Sequence, residues 1–133
     1  MDPLIIEATL DSPAVIFNAS TNHFLISGES RPENAGKFYS PVIDWIMKLE
    51  AMAFYRKQEM QDDSTLVFVF KLDYFNSTSA KYILDILLII KKLSGKGYKT
   101  KVEWHYDKRG DDILDAGNEF SKMIDMKFDI IAN

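Results

Sequence analysis

The feature that most constrains the fold is the segment "LVFVFKL" at positions 66–72, which is apolar at every position except Lys71. Its β-branched and aromatic side chains favour a strand over a short buried helix. Because strand side chains alternate between the two faces of a sheet, this composition predicts a central strand covered on both faces. Such strands occur mainly in sheets whose strands are joined by helical crossovers. The segment therefore indicates an α/β fold.

The rest of the chain supplies the neighbours that such a strand needs. Apolar residues at helical spacing predict helices at Phe38 to about Lys57, Thr78–Leu93 and Asp111–Met123, the last interrupted by Gly117. Further strands are predicted at Ala14–Phe17, Phe24–Ile26, Thr100–Tyr106 and Phe128–Ile131. The order β-β-α-β-α-β-α-β predicts a small mixed sheet flanked by helices. With no linker in its 133 residues, the chain is interpreted as one domain, 1–133, in which residues 1–12 form a loosely ordered arm.

Composition excludes several classes of function. The chain has no cysteine, so disulfides, thiolate nucleophiles and cysteine metal sites are excluded. A net charge of −4 argues against general nucleic-acid binding. The longest strictly apolar run, Ile86–Ile90, is too short to cross a membrane, and no secretory signal is apparent at the amino terminus. The sequence therefore predicts a cytoplasmic protein that binds no nucleic acid and does not insert into a membrane.

Positive charge is concentrated between Lys91 and Arg109, where seven cations accompany only Glu103 and Asp107. A solvated helix end followed by exposed strand and loop positions explains this pattern. The alternative is a docking face for an acidic partner or a phosphate.

The run Asn76-Ser77-Thr78-Ser79 separates the predicted central strand from the apolar helix that follows it. One polar residue is sufficient to cap the helix, and Asn76 can be that residue. The surplus hydroxyls are explained equally well by turn chemistry or by a site at the carboxyl end of the strand, where ligands and modifications gather in α/β sheets. A hydroxyl here is a candidate nucleophile or phosphate acceptor.

His105 is the other candidate for chemistry, because Glu103 and Asp107 lie two positions away on either side of it in a predicted strand. An acid–histidine–acid line can bind a metal or orient a base, so a small hydrolase is an alternative function. Alternation along a strand alone also produces this pattern, which makes a polar sheet face the simpler interpretation. The chain contains no zinc-protease, hydrolase-elbow, P-loop or dinucleotide motif, and no cofactor or enzymatic activity is expected.

Three stretches together resemble the SiaC family of bacterial regulatory phosphoproteins, which is similar in fold to the STAS domains of anti-sigma-factor antagonists. They are "GESRPENAGKFYSPVIDWI" (28–46), "LDYFNSTSAKYILDI" (72–86) and "VEWHYDKRGD" (102–111). The resemblance extends from about Ala14 to Ile131. It implies a STAS-like fold and a regulatory protein rather than an enzyme, with an anti-sigma-factor antagonist as the alternative function.

The resemblance also implies partners and a site. A Ser/Thr kinase would phosphorylate a hydroxyl at the helix start, a PP2C-type phosphatase would remove the phosphate, and the unmodified form would bind and activate a diguanylate cyclase that promotes biofilm formation through cyclic di-GMP. The position after Asn76 is the family acceptor, which makes Ser77 the predicted phosphoacceptor and Thr78 the alternative. The surrounding residues predicted to contact partners are Asn76, Thr78, Ser79, Lys81, Glu33 and Asn34.

Pro41 departs from the family pattern, because it lies about two turns into a helix expected to begin near Asn34. Either that helix is kinked at Pro41, or it begins at Ser40-Pro41, where proline is well tolerated in the first turn.

Overall fold

The computed structural model describes residues 1–53, 55 and 64–133, and these form a single mixed sheet with helices packed on it. In chain order the elements are β1 (Leu4–Ile6), β2 (Ala14–Asn18), β3 (His23–Ser30), α1 (Ala35–Ala51), β4 (Thr65–Phe75), α2 (Ser77–Gly95), β5 (Lys99–Tyr106), α3 (Asp112–Ile124) and β6 (Asp129–Ala132). The predicted fold class is confirmed, and the order of elements gains one strand at the amino terminus.

The six strands lie side by side in chain order. Strands β1, β2 and β3 are antiparallel neighbours, whereas β3, β4, β5 and β6 are parallel. Each parallel pair is joined by a crossover, and successive right-handed crossovers in one direction place their helices on the same face. In agreement, α1 packs against α2, and α2 packs against α3.

The core lies between this helical layer and one face of the sheet. On β4 the side chains of Leu66, Phe68, Phe70 and Leu72 enter it, and they alternate with Thr65, Val67 and Lys71 on the other face. The prediction that this strand is covered on both faces was wrong for the described residues, because their helices occupy one layer. Val69 is nevertheless buried on the open face. Val69 is paired with Leu25 on β3 and with Glu103 on β5. Residues of the neighbouring strands therefore flank it on this face, where no described helix packs.

The predicted loose arm at residues 1–12 contains strand β1, which pairs antiparallel with β2. Leu4 and Ile6 pack against the core, and the indole Nε1 of Trp45 donates a hydrogen bond of 2.9 Å to the carbonyl of Asp2. A three-residue strand has little intrinsic stability, so these tertiary contacts hold it in place.

Helix α1 begins at Ala35, and Pro41 lies inside it. The predicted alternative start at Ser40-Pro41 was therefore wrong. The Asn34 side chain accepts a hydrogen bond of 3.0 Å from the Lys37 amide, which fixes the earlier start. Pro41 is exposed, so solvent can hydrate the carbonyl that loses its helical donor. The predicted end near Lys57 lies outside the described residues.

Helix α3 is continuous through Gly117, although the sequence predicted an interruption there. Gly117 faces the fully buried indole of Trp104, and a β-carbon at position 117 would lie 2.8 Å from Cε2 of that ring. The glycine therefore provides space for a tryptophan in the core and does not end the helix.

Candidate functional site

The Asn76–Ser79 run forms the turn between β4 and α2, referred to below as the acceptor turn. Asn76 is the N-cap of α2, and its Oδ1 accepts a hydrogen bond of 2.9 Å from the Ser79 amide. The Asn76 amide donates to the carbonyl of Ser30, at 3.0 Å. The turn is therefore capped by its own asparagine and attached to the end of the neighbouring strand β3.

The three hydroxyls of the acceptor turn have different surroundings. Ser77 and Thr78 are exposed, whereas Ser79 is completely buried. The Ser79 hydroxyl accepts a hydrogen bond of 2.8 Å from the hydroxyl of Ser30. Of these three hydroxyls, only those of Ser77 and Thr78 are thus accessible to another protein in this conformation. The Ser79 hydroxyl instead links the buried side of the turn to Ser30.

Tyr39 of α1 completes a buried cluster with Ser30 and Ser79. Its hydroxyl lies 2.6 Å from that of Ser30, and its ring stacks on that of Tyr82 with centroids 5.6 Å apart. Burial is the largest influence on the Tyr39 hydroxyl and raises its pKa, so the group remains a neutral donor. Ser30 and Tyr39 were not among the predicted site residues. No local signal could have identified them, because Ser30 and Ser79 are 49 positions apart.

The start of α1 lies at the same edge of the sheet. Strands β3 and β4 are parallel neighbours with Ser30 opposite Phe75, so the helices that follow them begin side by side. Glu33 and Asn34 are exposed near the start of α1, and Lys81 is exposed one turn into α2. The Lys81 ammonium lies 5.9 Å from the centroid of the Tyr82 ring. The structure thus brings the predicted contact residues of both loops to one edge.

An exposed tyrosine at this edge was also missed. Tyr74 is the penultimate residue of β4, two positions before Asn76, and is 48% exposed. Tyrosine is enriched in the energetically dominant positions of protein interfaces. Tyr74 lies beyond the predicted strand, which ended at Leu72, and the local sequence pattern did not indicate that it would face solvent.

Replacing Asn76 by alanine is expected to lower the free energy of unfolding by about 1 kcal/mol, because the Ser79 amide loses its cap. Denaturant unfolding measures this change. Asn118→Ala is the matched control, since Asn118 is exposed within α3 and alanine favours a helix. Equal stability of Asn76→Ala and the wild type would contradict the capping role.

His105 lies in a separate cleft of about 420 Å³ at the carboxyl ends of β4 and β5. Its Nε2 is 3.1 Å from Glu103 Oε1, and its Nδ1 is 3.0 Å from Asn133 Oδ1. The predicted third member, Asp107, instead binds Arg109, whose hydrogen bonds lower the Asp107 pKa to about 2. The hydrogen bond with His105 is the largest cause of the lowered Glu103 pKa.

This arrangement differs from the predicted acid–histidine–acid line. Within the described residues, no group of three or more histidine and carboxylate side chains is placed to hold a metal ion. The cleft is lined by Lys71, Leu72, Asp73, His105, Tyr106, Asp107, Gly110, Asp112, Ile113 and Asn133. The acceptor-turn hydroxyls do not line it, so the cleft presents no serine–histidine pair.

The cations between Lys91 and Arg109 are largely engaged by nearby acceptors. The Lys96 ammonium lies 2.8 Å from a carboxylate oxygen of Glu50, and the Arg109 guanidinium lies 2.7 Å from one of Asp107. The Lys101 ammonium lies between two carboxylates, 3.4 Å from Glu103 and 3.6 Å from Asp129. These local pairs support the interpretation of a solvated surface. In the part of the chain that the structure describes, no helix has the length and hydropathy to span a bilayer.

Comparison with known proteins gives consistent matches over nearly the whole chain. The family model described as "SiaC family regulatory phosphoprotein" matches residues 6–133. An uncharacterized protein of Pseudomonas aeruginosa (strain UCBPP-PA14) is 27% identical over 133 residues, which cover 100% of this chain and 98% of that protein.

Two solved structures share the fold. Apo-SiaC from Pseudomonas aeruginosa is 26% identical with a TM-score of 0.80, and the match covers 100% of this chain and 99% of that one. SiaC from the same organism, in a crystal structure of the diguanylate cyclase SiaD in complex with its activator SiaC, is 27% identical with a TM-score of 0.83. That match covers 98% of this chain and 99% of the other.

Proposed function

The chain belongs to the SiaC family of regulatory phosphoproteins, and we propose that it is a phosphorylation-switched adaptor without catalytic activity of its own. Its unphosphorylated form binds and activates a diguanylate cyclase, and the phosphorylated form is released. The observation that carries this proposal is the acceptor turn, which presents Ser77 and Thr78 to solvent at the start of a well-packed helix.

The proposed acceptor is Ser77, with Thr78 as the alternative. In the kinase reaction the acceptor oxygen bonds to the γ-phosphorus of a nucleoside triphosphate, while the bond from that phosphorus to the β–γ bridging oxygen breaks and the nucleoside diphosphate leaves. The hydroxyl proton passes to a base of the kinase. A PP2C-type phosphatase reverses the modification by hydrolysis of the phosphate ester. Both enzymes and the cyclase are proposed cytoplasmic partners that control cyclic di-GMP and biofilm formation.

The acceptor turn suits a local switch. A phosphate adds about −1.5 to −2 charges, and the positive end of a helix stabilises a negative charge by roughly 0.3–1 kcal/mol. That energy is small compared with the burial that holds α2, whose Ile83, Ile86, Leu87 and Ile90 are fully buried. Phosphorylation therefore changes the charge of the surface and leaves the fold intact.

The related SiaC of Pseudomonas aeruginosa forms a complex with the diguanylate cyclase SiaD, and its chain matches 98% of this one. The exposed Tyr74 and the two adjoining helix starts provide a contact surface beside Ser77 and Thr78. An anion at either hydroxyl would lie at this surface, where its loss of hydration opposes binding.

Mass spectrometry of variants treated with the cognate kinase tests the assignment. We expect Ser77→Ala/Thr78→Ala to accept no phosphate, and Ser77→Ala alone to lose most of the modification. Ser20→Ala is the matched control, since Ser20 is an exposed serine in the hairpin at the opposite end of β3. Phosphate on the double variant would show that the acceptor lies elsewhere.

A further inference from the structure

Three hydroxyls from different elements meet below the acceptor turn, and we call them the hydroxyl network. Ser30 ends β3, Tyr39 lies in α1, and Ser79 lies in the first turn of α2; each is 0% exposed. Ser30 donates its hydroxyl hydrogen to Ser79, so Tyr39 is the donor in its bond with Ser30. The two bonds therefore join the last residue of a strand to the starts of both neighbouring helices.

The network adds to the backbone bonds that hold the acceptor turn. Ser30 accepts from the Asn76 amide through its carbonyl and binds Ser79 through its side chain, so one residue holds both sides of the turn. The Ser79 amide in turn is capped by Asn76. Buried hydroxyls destabilise a core unless all of them are hydrogen-bonded, and loss of any one member removes a hydrogen bond from at least one other.

The network also determines what Ser79 can do. Phosphoryl transfer requires an acceptor oxygen that reaches the γ-phosphorus of a nucleoside triphosphate and releases its proton to a base. The Ser79 oxygen has no exposed surface and already accepts a hydrogen bond from Ser30. Ser77 and Thr78, two and one residues earlier, have no such restraint and are exposed.

We propose that the hydroxyl network holds the acceptor turn in its helical form and thereby restricts phosphorylation to Ser77 and Thr78. Ser30 and Tyr39 are positioning residues, which act through Ser79 and Asn76 and do not touch the phosphate donor. This inference deepens the proposed function and rests on it for the phosphorylation step. The restriction explains how a run of three adjacent hydroxyls presents a defined site.

The test compares Tyr39→Phe and Ser30→Ala with the wild-type chain in two measurements. The first is hydrogen exchange of the Ser79 amide relative to the amides of β4, and the second is the position of phosphate after treatment with the cognate kinase and a nucleoside triphosphate. Tyr82→Phe is the matched control, because it removes a tyrosine hydroxyl outside the network from the ring that stacks on Tyr39.

We expect exchange of the Ser79 amide to become at least about tenfold faster in Tyr39→Phe, because the buried Ser30 hydroxyl loses the hydrogen bond that it accepts from Tyr39. We also expect phosphate on Ser79 in addition to Ser77 and Thr78 in both network variants, and neither change in Tyr82→Phe. If Ser30→Ala does not fold, Tyr39→Phe decides the test by itself.

Unchanged exchange in Tyr39→Phe would overturn the holding role, and faster exchange without phosphate on Ser79 would overturn the restriction. A wild-type chain that accepts no phosphate on Ser77 or Thr78 would instead contradict the proposed function. In that case the exchange measurement still decides whether the network holds the turn, so the two failures are distinguishable.

Discussion

Phosphorylation of Ser77 is expected to weaken binding of the partner cyclase at least about thirtyfold, which corresponds to about 2 kcal/mol. The phosphate would have to lose its hydration at a contact surface that includes the exposed Tyr74. Titration calorimetry with the purified cyclase, supported by its rate of cyclic di-GMP synthesis, measures the effect.

The fold is expected to remain intact in the modified protein. Ser77→Asp should weaken binding in the same direction, while its midpoint of thermal unfolding stays within about 3 °C of the wild type. Ser20→Asp is the matched control, because it adds the same charge at the opposite edge of the sheet. Equal cyclase affinity for Ser77→Asp, phosphorylated chain and wild type would refute the switch, and a collapse of the midpoint would indicate a structural role.

Gly117→Ala is expected to destabilise the protein by about 2 kcal/mol and to lower its midpoint of thermal unfolding by roughly 5–10 °C. The new β-carbon would overlap Cδ1 and Nε1 of Trp104. The indole cannot move away easily, because it is 0% exposed and its Nε1 donates a hydrogen bond of 2.7 Å to the carbonyl of Ile113. This overlap should exceed the gain of about 1 kcal/mol that alanine brings to a helix.

Gly95→Ala separates the overlap from helix propensity. Gly95 ends α2, and a β-carbon there would meet nothing within 4 Å. The substitution is therefore expected to leave stability unchanged or slightly raised. Calorimetry on both variants checks the pair of predictions. Equal midpoints of thermal unfolding for Gly117→Ala and Gly95→Ala would show that α3 can move away from the Trp104 indole without a loss of stability.

Sequence reasoning identified most elements because their signals are local. The β-branched and aromatic run predicted β4, helical spacing predicted α2 from Thr78 to Leu93 against the observed Ser77–Gly95, and Asn76 was predicted as a cap. It failed where a distant residue decides the outcome. Strand β1 depends on β2 and Trp45, and Gly117 was mistaken for an interruption because its partner Trp104 lies on another element.

For the site, the sequence by itself determined the candidate hydroxyls and the asparagine that caps their helix, because capping depends on neighbours three residues apart. Only the tertiary structure decided that Ser79 is buried while Ser77 and Thr78 face solvent, since the bond from Ser30 joins residues 49 positions apart. Likewise, only the parallel register of β3 and β4 brings the start of α1 beside the acceptor turn. Burial and strand register depend on how the whole chain packs, and a local pattern of residues carries no information about which distant side chain will be its neighbour.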